Sequence, residues 1–425
     1  MSVSMITALV IIIFMVILIM WDKLPFGAPP LIACLLMVIF QVVDIKTAFG
    51  GFANSSIIML ASFMAIVAGL QKTSFLGKFK NTIFNLATRG GFKAYVLIIL
   101  AVMLGDSIFG TGSTAYYVLV IGLLSTLPES KELPPSRVLM PAGFAANHPL
   151  IPINVALQYG IVTAVLQASG AMANVDLVKF SIVNLALSIG FLAWALLAYK
   201  TLPDHPIAAA EKQEEKGTDE VKLTAGQEKA TYVLFVIAVV GMILQSKIGD
   251  AGYAITGLAV AGLWIAKVMT WNEIRDAISA PIILMSAGVI GIADAMGSTG
   301  LTDLVGQTVA NMLGSNVNPF ILIFAFCILT SVLATLTGST IGTVYVFAPL
   351  AITTCMKLGL DPTAAAAAIV VSGWCGHFLP IDGMPAMIMG AGDYNIVEFW
   401  KYTVPQYFIR LLFLTVGAVL LFPMK

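Results

Sequence analysis

The sequence predicts an all-α membrane protein made of two inverted repeats, each with three spans, a re-entrant hairpin, a broken helix and a final span. Three observations carry this reading. Apolar stretches of spanning length follow one another along nearly the whole chain, one charged segment divides it near the middle, and Thr-Gly-Ser-Thr occurs once on each side of that segment. Of 425 residues, 59% are apolar and 10% charged, and the mean hydropathy is +0.97. A hydrocarbon core about 30 Å thick takes roughly 20 apolar residues to cross, and every backbone group inside it must be bonded within the segment. Residues 3–21 and 177–199 have that length, and the short alternating segments of a membrane barrel are not seen.

The first apolar stretch has no basic leader and no small-residue cleavage site, and it runs into Trp21-Asp22-Lys23, an interfacial anchor. It therefore reads as a retained span. Spans are expected at 3–21, 26–43 and 54–71, a hairpin at 94–127, a broken helix at 138–168 and a last span at 177–199. Residues 202–229 crowd Glu211, Lys212, Glu214, Glu215, Lys216, Asp219, Glu220 and Lys222 together, as a cytoplasmic linker would between a first repeat, 1–201, and a second, 230–425. The second repeat is expected at 230–247, 251–268, 278–296, 318–355, 363–391 and 399–423.

The duplication rests on one offset. A shift of 226 positions carries Thr111-Gly112-Ser113-Thr114 onto Thr337-Gly338-Ser339-Thr340, Met59 onto Met285, Ala61 onto Ala287 and Thr73 onto Thr299. His148 lies 229 positions before His377, and Pro152 lies 228 before Pro380, so two of the three histidines are equivalent by repeat. Each half crosses five times, and an odd count inverts the second half relative to the first. With both termini outside the cell (inner) membrane, sixteen of the 22 basic residues fall inside, five outside, and Arg410 within the last span. That bias follows the positive-inside rule. Lys72 to Lys93 holds five basic residues and no acid among large apolar ones, the pattern of an amphipathic helix in the inner interface. Its repeat mate, 301–313, lacks the basic residues. The four cysteines stand in apolar segments without metal-type spacing and read as packing thiols, and a net charge of zero gives no reason to expect a nucleic-acid partner.

Transporters of this build bind substrate where interrupted helices expose backbone groups near the midplane. Four interruptions are legible. In the hairpins, Gly112 and Gly338 permit a tight turn, and the hydroxyls of Thr111, Ser113, Thr114, Thr337, Ser339 and Thr340 suit a small cation such as Na⁺ or donate to an anion. In the broken helices, Asn147-His148-Pro149 with Pro152-Ile153-Asn154, and Gly376-His377 with Pro380-Ile381-Asp382-Gly383, end regular bonding and free carbonyls and amides. Ser113, Thr114, Asn147, His148, Ser339, Thr340, His377 and Pro380 are the candidate substrate contacts, and Asp106, Thr111, Gly112, Ser113, Thr337, Gly338, Ser339 and Asp382 the candidate Na⁺ ligands. Each has a plainer reading. Hydroxyls in membrane helices commonly bond to the preceding turn, and the histidines fit polar packing as well as substrate or proton binding. Asp106 and Asp382 fit a Na⁺ ligand, a proton carrier or a structural ion pair, and Arg410 fits a partner for one of them or a snorkelling side chain.

These segments, with Ile57 to Phe75, Pro135-Ser136-Arg137 leading into Met140-Pro141, and the break from Phe378 to Pro385, resemble the divalent anion:sodium symporter family within the ion transporter superfamily. The resemblance implies a homodimer with a fixed scaffold and a mobile transport domain that moves by an elevator mechanism, coupling Na⁺ to uptake of di- or tricarboxylates without an organic cofactor. The family's Ser-Asn-Thr tip reads Gly112-Ser113-Thr114 and Gly338-Ser339-Thr340 here, so only serine and threonine chemistry carries over. Proton coupling, and the membrane subunit of a binding-protein-dependent (TRAP-type) carboxylate transporter, are the alternatives within transport. From other classes, an intramembrane hydrolase lacks a legible Ser-His pairing, and the duplicated polar site suits alternating access better than one-sided chemistry, while a channel would be distinguished by conductance far above carrier turnover.

Overall fold

The computed structural model describes residues 2–21, 24, 27–110, 114–125, 127, 133–171, 175–207, 223–301, 304, 318–337, 340–380 and 383–424. Every regular element among them is helical. The first half opens with α1 (Val3–Trp21), α2 (Ala28–Ile39), a short α3 (Ile45–Ala48), a 3-10 turn (Gly50–Ala53) and α4 (Ser55–Gln71). The amphipathic α5 (Phe75–Ala87) follows. The arms of the first hairpin are α6 (Gly91–Phe109) and α7 (Thr114–Leu124), the halves of the broken helix are α8 (Pro135–Ala145) and α9 (Ala156–Ala168), and α10 (Leu177–Leu197) is the last span.

The second half repeats that order. It runs α11 (Ala225–Ile248), α12 (Asp250–Ile265), a short α13 (Trp271–Ile278), α14 (Pro281–Thr299), hairpin arms α15 (Pro319–Thr337) and α16 (Thr340–Lys357), broken-helix halves α17 (Thr363–Ser372) and α18 (Gly383–Ala391), and the final α19 (Ile396–Leu421). Six helices among the described residues are long and apolar enough to cross a membrane: α6, α10, α11, α15, α16 and α19. The expected amphipathic segment at 301–313 falls largely outside the described residues, as do residues 208–222 of the segment 202–229 expected to be a linker.

Helix starts follow from local caps. Asp176 accepts from the Lys179 amide at 2.8 Å, and Asn395 forms a reciprocal box with Glu398 at the head of α19. Thr224 and Gln227 bond to each other in the same manner, so α11 begins at Ala225, inside the segment expected to be linker. In the first hairpin, the Tyr116 hydroxyl on α7 donates to the Val102 carbonyl on α6 at 2.6 Å and its ring stacks on Phe109. The chain therefore folds back beside itself, as a re-entrant segment must.

Packing between the halves is reciprocal. The second helix of each half lies on the third long helix of the other, α2 on α14 and α12 on α4, and the two last spans, α10 and α19, pack along each other. Ala8, Ile11 and Met15 of α1, Ala33, Cys34 and Met37 of α2, and Ile292 and Ala295 of α14 form one apolar cluster. Small residues permit the closest approach: a Cβ at Gly291 of α14 would stand 1.8 Å from the Ala48 carbonyl oxygen. Polar contacts separate two faces. On one, Lys72 pairs with Glu273 at 2.7 Å, Ser74 bonds Glu228, Arg137 pairs with Asp204 at 2.9 Å and His205 meets Glu398 at 3.7 Å. On the other, Asn54 at the head of α4 bonds Gln167 at the end of α9. Lys72 and Asn54 flank opposite ends of α4, so the first and last of these pairings lie at opposite ends of that helix.

Candidate functional site

The first break lies between α8 and α9, where Pro149 and Pro152 have no amide hydrogen to donate. Three of the donors left there are satisfied by the end of the hairpin arm α6. The Leu150 amide donates to the Met103 carbonyl at 3.0 Å, the Ile151 amide to Ser107 Oγ at 2.9 Å, and Asn154 Nδ2 to the Ile108 carbonyl at 2.8 Å. Gly110 turns the chain out of α6 at φ +88°, and a Cβ there would come within 2.8 Å of Asn154 Nδ2. The hairpin of the first half is thus stitched to the break of the same half.

The second half repeats the arrangement with different chemistry. After α17 a 3-10 turn (Gly373–Cys375) leads into residues 376–380 before α18 begins. Thr335 Oγ1 of the hairpin arm α15 donates to the Gly376 carbonyl at 2.5 Å. The two segments touch so closely that a Cβ at Gly376 would stand 1.8 Å from Thr335 Oγ1 and 2.3 Å from the Ser331 carbonyl oxygen. Across the halves, Asn147 Nδ2 reaches the Trp374 carbonyl at 3.4 Å, and Phe144 stacks on His377 with centroids 5.7 Å apart. The two breaks therefore meet, each backed by its own hairpin.

The two repeat-equivalent histidines differ. His148 is fully buried and stacks on Phe191 of α10 at 4.0 Å. Its Nε2 lies 2.8 Å from Arg410 Nη1, and its Nδ1 lies 2.7 Å from the Phe144 carbonyl. Arginine only donates, so Nε2 accepts, Nδ1 carries the proton and donates to Phe144, and the ring is neutral with both nitrogens engaged. His377 is half-buried beside partly exposed Phe378, Leu379 and Pro380, and its Nδ1 has no partner among the described residues. His377 thus keeps a buried ring nitrogen without a partner among the described residues, whereas both ring nitrogens of His148 are engaged.

Arg410, left open by the sequence, is the group that local pattern did not assign. It is 1% exposed and does not snorkel, and its Nη2 donates to the Cys375 carbonyl at 2.6 Å. It thereby bonds one break through His148 and the other through Cys375. A lone arginine in a 26-residue apolar helix was the available signal, but its partners lie 262 and 35 residues away.

Of the other candidates, Asp106 is fully buried in α6 one turn before Gly110, Asn147 is buried at the junction, and Thr340 is partly exposed at the head of α16, facing Gly373. Thr111, Gly112, Ser113, Gly338, Ser339 and Asp382 lie outside the described residues, and only the backbone is described for Thr114 and Thr337. No cluster of three or more His, Cys, Asp or Glu side chains suited to a metal ion occurs among the described residues. The donors near the breaks are carbonyls, hydroxyls and amides, with helices α7, α9, α16 and α18 each starting shortly after an interruption. Such a set offers helix amino termini to an anion and oxygen ligands to a small hard cation.

The sequence model of the family described as citrate transporter (CitMHS) matches residues 16–372. No curated protein matches the chain. Among solved structures, the chain is similar to the YdaH transporter of Alcanivorax borkumensis, with a TM-score of 0.62, 17% identity and coverage of 88% of this chain and 87% of that one. It is also similar to MtrF of Neisseria gonorrhoeae, described with a class of antimetabolite efflux pumps, with a TM-score of 0.60, 15% identity and coverage of 92% and 85%. At these identities the likeness is one of fold.

Proposed function

The chain belongs to the citrate transporter family, and from that membership we propose that it is a secondary active transporter of citrate or a similar di- or tricarboxylate, driven by a cation gradient. The family sits within the ion transporter superfamily to which the sequence resemblance pointed. The observation that carries the reading is the meeting of both breaks, Asn147 against Trp374 and Phe144 against His377, each backed by its own hairpin. An irregular backbone from both halves at one place gives an anion helix amino termini and amides, and gives a cation carbonyls and hydroxyls. Na⁺ is the coupling ion that the hydroxyl-rich tips 111–114 and 337–340 would suit, through Thr111, Gly112, Ser113, Thr337, Gly338 and Ser339, with Asp106 and Asp382 nearby in sequence.

Transport by an elevator motion of hairpins, broken helices and last spans against α1, α2, α4, α11, α12 and α14, in a homodimer, fits the reciprocal packing of those six helices. A second reading, proton coupling, is favoured by His377, whose Nδ1 has no partner among the described residues. Uptake of labelled citrate, succinate and butyrate into proteoliposomes, under separately imposed Na⁺ and proton gradients, tests all of this. Accumulation of citrate or succinate under either gradient supports the reading, and the gradient that drives it names the ion. Absence of accumulation under both removes it.

A further inference from the structure

Arg410 carries a permanent charge to a place where charge is costly unless paired. Its side chain is fully buried in α19, and among the described residues its Nε has no hydrogen-bond partner and no carboxylate stands within ion-pair distance. What it bonds are two neutral acceptors, His148 Nε2 of the first break at 2.8 Å and the Cys375 carbonyl of the second at 2.6 Å. His148 cannot itself hold a second proton while it accepts from a guanidinium, and its ring stacks on Phe191 with centroids 4.0 Å apart. The pair is therefore a strut with net charge of one, set behind the backbone that continues from Cys375 to His377 and the partly exposed residues up to Pro380. A neutral amide or an apolar side chain would close the same packing without burying a charge. The charge itself is what those alternatives would lack.

We propose that Arg410 is a positioning residue of the anion site, which holds the two breaks in register through its fork and supplies from behind them the positive potential that favours multiply charged carboxylates. The proposal rests on the carboxylate reading above. Arg410 does not touch the ligand. At about 10 Å and an effective dielectric constant of about 20, one such charge alters affinity by roughly tenfold for each negative charge on the ligand.

The test is a ladder of ligand charge. Dissociation constants for citrate, succinate and butyrate are measured by calorimetry on the purified full chain, on Arg410→Lys and on the double variant His148→Leu with Arg410→Met. The double variant removes both polar partners of the strut together and so leaves fewer orphaned groups. Arg410→Lys keeps the charge and is expected to keep the spacing of the ladder. The double variant is expected to compress it, with citrate losing roughly 100-fold more affinity than butyrate, because citrate carries two more charges. Equal loss for all three acids in the double variant overturns the proposal and leaves Arg410 a structural tie. Compression in Arg410→Lys overturns it too, and so does failure of the charge-free variant to fold while Arg410→Lys folds, which assigns the charge to folding. A wild-type chain that binds none of the three acids overturns the carboxylate reading and this proposal with it.

Discussion

Gly376→Ala is the smallest change that acts on the contact between a hairpin and its break. The added methyl would stand 1.8 Å from Thr335 Oγ1 and 2.3 Å from the Ser331 carbonyl oxygen. The hydroxyl can rotate, but the carbonyl is part of the α15 backbone and cannot. Ordinary carbon contacts are about 3.5 Å or more, so α15 must retreat from the break by about 1 Å. Over-packing of this kind costs about 1–3 kcal/mol, and loss of the Thr335 bond to the Gly376 carbonyl adds about 1 kcal/mol. Together these amount to roughly 2–4 kcal/mol, placed at the junction the transport reading depends on. The assay is citrate uptake into proteoliposomes beside the melting temperature of the detergent-purified chain. Gly122→Ala serves as control, because a Cβ at Gly122 on α7 meets nothing within 4 Å. The expected result is at least about tenfold slower uptake and a lowered melting temperature for Gly376→Ala, with neither for the control. Adding Thr335→Ala should restore only part of the loss, since Ser331 remains. If Gly376→Ala transports and melts like the wild type, the close contact between α15 and the break does not exist as described.

Gly110→Ala should also slow uptake and cost about 1–2 kcal/mol, from the positive φ of +88° and the nearby Asn154 amide, as a melting shift would show. Ser107→Ala removes the acceptor of the Ile151 amide and should lower stability by about 1–2 kcal/mol, with uptake falling more than melting if the stitch positions the site. Lys72→Met should change stability by no more than about 1 kcal/mol, because Lys72 and Glu273 are both partly exposed. Burial pushes the Glu273 carboxyl up, but bonds from Lys72 and Thr270 outweigh it and hold the group below its usual range. The contribution of this link is therefore present at neutral pH and lost as pH falls through that lowered range, and melting of wild type and Lys72→Met should converge in acid.

Much of the fold was legible because it is written in composition and repetition. Spanning helices declare themselves by length and apolarity, and the breaks by prolines at 149, 152 and 380 that cannot sustain regular bonding. The short α13 was not expected, although Thr270 and Glu273 form a reciprocal cap that the sequence displays. The site was less legible, since its bonds join residues distant in sequence. Nothing near Ser107 announces that its hydroxyl accepts from Ile151, and nothing near Arg410 points to His148. Repeat equivalence put His148 and His377 in the same role, yet only α19 carries an arginine and α10 has none. Arg410 engages His148 Nε2, whereas His377 Nδ1 has no partner among the described residues.

The most direct test of the account is whether one ligand touches both breaks. Single cysteines are introduced as Ile153→Cys in the first break and Phe378→Cys in the second, both partly exposed, in a chain whose own four cysteines are buried. Alkylation rates are measured in membranes with and without citrate. Citrate at saturating concentration should slow modification at both positions, and an uncharged polyol should slow neither. Protection at one break alone, or at neither while citrate is being transported, would contradict a shared site.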